Sequence, residues 1–92
     1  MNKISFLEYA RKKYTSKSSY SRLYRAIKVE KIIGTDLDEI VNDDERMFVA
    51  LQSIDTGNIR TDNTLKNSLR NYYEYKNGKS FLREREYIKK GK

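Results

Sequence analysis

The chain contains no cysteine, no histidine and no proline. Without cysteine it can build neither a disulfide framework nor a thiolate zinc site. With histidine also missing, and no convergent acid–base set in the sequence, it reads as a non-enzymatic protein with no cofactor. The absence of proline leaves glycine as the main helix stop, at Gly34, Gly57, Gly78 and Gly91. Long apolar runs are also lacking. The opening MNKISFLEYARKK therefore reads as neither a signal peptide nor a membrane span, and a cytoplasmic protein without membrane contact is expected. No segment repeats, and none is of low complexity.

What is present is short and polar. Ninety-two residues fit one domain, and hydrophobic residues (37%) barely outnumber charged ones (36%). A chain of this size hides only about 60–65% of its unfolded surface, so its core is thin. Eight of its eleven aromatics are tyrosine, whose ring can pack while its hydroxyl stays wet. The net charge of +7 is unevenly spread: residues 1–34 carry +7, residues 35–57 carry −6 and residues 58–92 carry +6. Such segregation favours contact with a polyanion over simple solvation, because a surface needing only solubility intersperses the two signs.

Apolar residues recur at helical spacing and strand patterns are weak, so the fold class expected is all-α, a bundle of four or five helices. The expected helices are 5–14, 19–33, 43–54, 63–77 and 80–89. Ser5 and Glu8 form a capping box for the first, whose stripe is Phe6, Leu7, Ala10 and Tyr14. In the second, Tyr20, Leu23, Tyr24 and Ile27 make the apolar side and Arg22, Arg25 and Lys28 the opposite one. DLDEI is a short capped turn boxed by Asp36 and Glu39, and the third helix presents Met47, Phe48, Leu51 and Ile54. DTGNIRTDN reads as a loop, with Asn63 capping the fourth helix. The fifth uses Phe81, Leu82 and Ile88.

Several residues have a plain structural reading beside a functional one. Asp36, Asp38, Glu39, Asp43, Asp44 and Glu45 lie in first helical turns, where negative charge meets the positive helix end. Capping therefore explains them better than a metal does. Tyr72 and Tyr73 share an arc with Leu65 and Leu69 and belong to the core, whereas Tyr75 falls outside it, toward phosphate or solvent. Arg70 stands one turn before Glu74, but an exposed pair of that kind contributes only ~0.3 kcal/mol, too little to explain the residue. Asn63, Asn67 and Asn71 form a row at four-residue spacing. Asn67 and Asn71 thus become candidate base readers, since Asn pairs bidentately with adenine.

The stretch NTLKNSLRNYYEY resembles the last major helix of the core-binding domain of tyrosine recombinases, the phage integrases. Ser68, Leu69 and Arg70, then Tyr72, Tyr73 and Tyr75, occupy that family's places. SFLEYARKK, SSYSRLYRAI and DLDEIVNDDERMFVAL are similar to its earlier helices, in the same order. The resemblance covers roughly residues 4–78. It implies a SAM-like bundle clamping one face of duplex DNA, with the polar sides of the second and fourth helices at the major groove. The matching positions are Arg22, Arg25 and Lys28, and Lys66, Asn67, Arg70 and Asn71. The recombinase active site needs histidine, so strand exchange is not expected of these residues; the chain is a free-standing relative or a fragment.

Two classes of function compete. The first is a non-catalytic DNA-binding module encoded by a phage or mobile element. The second is a small phage protein that binds and inhibits a host protein or nucleoprotein complex, such as a defence nuclease, through the same positive surface. A dimerising regulator with a tyrosine-rich interface is a third.

Overall fold

The computed structural model describes residues 1–90, with side chains as far as Lys89; these residues form six helices and no strand. They are α1 (Lys3–Lys13), α2 (Ser16–Ile33), α3 (Leu37–Val41), α4 (Asp44–Ser53), α5 (Ile59–Asn77) and α6 (Glu84–Lys90). The all-helical bundle is the fold class expected. DLDEI contributes a helix of its own rather than a turn. α5 is the organising element and packs on α1, α2 and α3.

Four helices start elsewhere than the sequence implies, each because a better cap lies upstream or because a tertiary contact intervenes. Asn2, not Ser5, caps α1, its side chain accepting from the Ser5 amide at 3.1 Å. Thr15 caps α2 and brings its start forward to Ser16. The segment expected to be a loop before α5 contains the first turn of that helix. Gly57 turns the chain with φ 87°, Asn58 caps the Thr61 amide, and Asn63 is an exposed residue inside the helix. The Asp62 carboxylate folds back onto the amide and hydroxyl of Thr56 at 2.9 and 2.6 Å, closing the turn. The fifth expected helix begins late, at Glu84, because the carbonyls of Phe81 and Leu82 are engaged by Arg70. Asp36 and Asp43 do cap α3 and α4, although Asp36 reaches the Asp38 amide and closes no box with Glu39.

The face that α2 buries is turned by one residue, about 100°, from the stripe read off its aromatics. Ser19, Ala26 and Val29 are buried, Leu23 packs against the core, and Tyr20 and Tyr24 stand largely in solvent. Ser19 and Ala26 on α2, like Ser68 on α5, are fully covered small residues. Small side chains let helix backbones come close, and no tyrosine ring would fit between them. This rotation also carries Arg22 away from the outer side of α2, where the sequence puts it, and toward α5.

On α5, Leu65, Leu69, Tyr72 and Tyr73 are buried as expected. Tyr75 is not an outward residue. Its ring lies 5.7 Å from Phe6, 5.4 Å from Tyr9 and 5.4 Å from Tyr72, because α1 crosses the end of α5 and widens the arc that is covered. The tyrosine hydroxyls stay satisfied at the core's edge. Tyr72 donates to Asp38 and accepts from the Asn2 amide, and Tyr73 donates to Asp44 at 2.7 Å. The linker after Gly78 is pinned by Phe81, which is buried edge-on against Tyr73 at 5.0 Å. Tyr87 of α6 then stacks on Phe48 at 4.7 Å.

Candidate functional site

Four of the seven residues singled out from the sequence meet around one cleft of about 370 Å³: Arg22 from α2, and Asn67, Arg70 and Asn71 from α5. Tyr14 closes it on the side of α1, and Phe81 and Arg83 close it on the side of the linker. The buried small-residue face of α2 is what turns Arg22 into this space. Its guanidinium lies 3.9 Å over the Tyr14 ring, a cation–π contact, and Nη1 donates to Oδ1 of Asn71 at 2.7 Å. Its Nε is buried with no acceptor.

Arg70 makes no pair with Glu74. It points away along the linker and donates from Nη1 to the carbonyl oxygens of Phe81 at 3.4 Å and Leu82 at 3.1 Å. Glu74 instead accepts from Lys13 and from the Tyr9 hydroxyl at 2.8 Å. The Lys13 bond holds the Glu74 carboxyl below its ordinary range and pushes the Lys13 ammonium up. Burial pulls the Arg70 guanidinium down from its usual value; the nearby Glu84 carboxylate works against that, and the charge of Arg83 adds to it more weakly.

The remaining residues are distributed around the cleft rather than in it. Arg25 and Lys28 are exposed farther along α2. Lys66, one turn before Arg70, lies outside the lining of the cleft and pairs with Glu84 at 3.5 Å, which ties α6 to the bundle. Asn71 has its amide committed to Arg22 and, at 3.5 Å, to the Tyr14 hydroxyl, so Asn67 is the exposed asparagine of the pair. Sequence reasoning missed Arg83 and Tyr14. Arg83 falls in a segment read as helical, and only the stitched linker brings it to α5.

A larger hollow of about 620 Å³ lies at the opposite end of α2, between that helix, α3 and α4. Glu39, Asp43 and Glu45 line it beside Arg46, so an anion has no reason to enter. The carboxylates thus gather where α3 and α4 begin. The cations of the cleft, with Arg11, Lys12, Lys13 and Lys17, gather where α1 hands over to α2. Arg22 and Ile33, the α2 residues that line the cleft and the hollow, stand eleven residues apart, roughly 16 Å along the helix. Among the described residues, only Lys13, Lys66 and Lys76 have a side-chain ion pair, so most basic groups are not neutralised by the chain's own acids.

No family model, no curated protein and no solved structure matches this chain.

Proposed function

We propose that the chain is a non-catalytic module that binds duplex DNA through α2, α5 and the α1–α2 junction, of the kind that phage integrases and related mobile elements carry. The observation that supports this best is the cleft where Arg22, Arg70 and Arg83 converge with Asn67 and Asn71, with Arg25 and Lys28 exposed farther along α2. Guanidinium forks suit phosphate oxygens, and phosphate contact is the main source of affinity for a duplex. The motif resemblance along residues 4–78 points the same way, and the same helices carry it. Asn67, exposed beside the arginines, is the residue in position to read a base edge.

The test is a salt-titrated binding assay with the full chain and random duplexes. Neutralising five or six phosphates gives a slope of log affinity against log salt of about −5. Arg25→Glu, at an exposed position, should weaken binding on every duplex and flatten that slope, while Asn67→Ala should change preference among duplexes more than total affinity. Binding no stronger or more salt-sensitive than that of an unrelated basic domain of like charge, together with stable co-purification of a host protein, would favour the inhibitor reading instead.

A further inference from the structure

We propose that the cleft between α5 and the linker before α6 is a built seat for a single phosphate group, with Arg22, Arg70 and Arg83 as its ligands. A backbone phosphate is its natural occupant, which rests on the nucleic-acid reading above; a free phosphate ester offers the same chemistry.

Three guanidiniums line this one cleft, and among the described residues none of them has a carboxylate within ion-pairing distance. Like charges do not normally gather unpaired in a half-desolvated space, because burial and mutual repulsion both oppose it. Arg83 is near enough to Arg70 for its charge to be felt there; the Glu84 carboxylate is felt there too, but it makes its ion pair with Lys66 and not with an arginine. The one carboxylate in the lining, Glu74, is turned to Lys13, Tyr9 and Ser80, so it offers the arginines no counter-ion.

A purely structural role accounts for part of this arrangement. Arg70 pins two carbonyls through Nη1, and Arg22 stacks on Tyr14. It does not account for Arg83, which is exposed, nor for the Arg22 Nε that is buried without an acceptor. A guanidinium has five donors, and the hydrogen bonds of Arg22 and Arg70 engage only one nitrogen of each. The stacking ring of Tyr14 and the Asn71 amide hold Arg22 in place before any ligand arrives, which lowers the ordering cost of binding. At ~30 Å³ per water, 370 Å³ accommodates one phosphate with several hydration waters. The lining is mostly polar, as a hydrated oxyanion requires.

The experiment is a titration of the full chain with inorganic phosphate against chloride at constant ionic strength, read on the arginine Nε–Hε NMR signals. The signals of Arg22, Arg70 and Arg83 should shift saturably while those of Arg25, Arg46 and Arg60 stay. Arg83→Gln, a change at an exposed site, should weaken phosphate binding roughly threefold or more. Arg70→Lys, which keeps the charge but loses the fork, should weaken it as well. Equal shifts at all arginines, or an unchanged affinity in Arg83→Gln, would overturn the seat.

The source is separated by a second arm. If Arg83→Gln also makes the duplex salt slope shallower by about one, the occupant is a backbone phosphate. If the slope is unchanged while phosphate still binds the cleft, the backbone assignment is overturned and a free phosphate ester is the occupant. Saturable phosphate binding in a chain that does not hold duplex at all would uphold the seat and remove the DNA reading.

Discussion

Ser68 sits fully buried on α5 with a hydroxyl that has no partner, whereas buried Ser19 on α2 returns its hydroxyl to the Thr15 carbonyl at 2.8 Å. The two serines should therefore respond in opposite directions. Ser68→Ala removes an unsatisfied group and should stabilise the chain by about 1 kcal/mol, a rise of roughly 4–8 °C in thermal midpoint for a domain of this size. Ser19→Ala should lower the midpoint. Tyr73→Phe deletes the bond to Asp44 and should cost about 1 kcal/mol. Burial first, and that bond second, push the Tyr73 phenol up to about 12. Its stabilising contribution is accordingly complete below the ordinary tyrosine range near pH 10 and disappears as pH rises through about 12, which an ultraviolet titration can follow. The carboxyls work in the other direction. Hydrogen bonds from Thr56 depress Asp62, and Lys13 depresses Glu74, so their contribution is present above about pH 4 and is lost on acidification below it. Thermal melts from pH 7 to pH 2 should show a plateau and then a fall, with a shallower fall in Glu74→Gln.

The existence of the long helices was legible because periodic apolar residues and local caps act over a few positions. Tyr72 and Tyr73 were readable as core for that reason. The orientation of α2 was not, since hydrophobicity favours burying Tyr20 and Tyr24 while close helix contact favours Ser19 and Ala26, and the tertiary requirement prevailed. From that one rotation follows the inward position of Arg22, which is why the outer face of α2 holds fewer of the candidate residues than its helical wheel implies. Tyr75 was misread, and the contacts of Arg70 were not foreseen, for a related reason: their partners, α1 and the Phe81–Leu82 carbonyls, are distant in sequence or outside any periodic pattern. α6 depends on the same stitching. It is held through Phe81, the Phe48–Tyr87 stack and the Lys66–Glu84 pair, with Ile88 outside in solvent. Phe81→Ala should cost about 3 kcal/mol and raise amide exchange in α6 ahead of the rest, while Ile88→Ala should change stability by less than about 0.5 kcal/mol.

A net charge of +7 with three side-chain ion pairs among the described residues leaves repulsion as the larger electrostatic influence on the fold. Moderate salt should therefore raise the thermal midpoint of the free protein, because screening relieves more repulsion than attraction. The same salt should weaken any polyanion complex, so the two dependences carry opposite signs and can be measured on one sample series. That contrast separates a folding defect from a binding defect in any arginine variant. The gathering of carboxylates where α3 and α4 begin, and of arginines at the cleft, has a kinetic consequence as well. A molecule with such a permanent dipole experiences a torque in the field of a highly charged rod and turns before it touches. Most collisions would then arrive with the α1–α2 junction leading and the α3–α4 end trailing, which narrows the rotational search that ordinarily slows association.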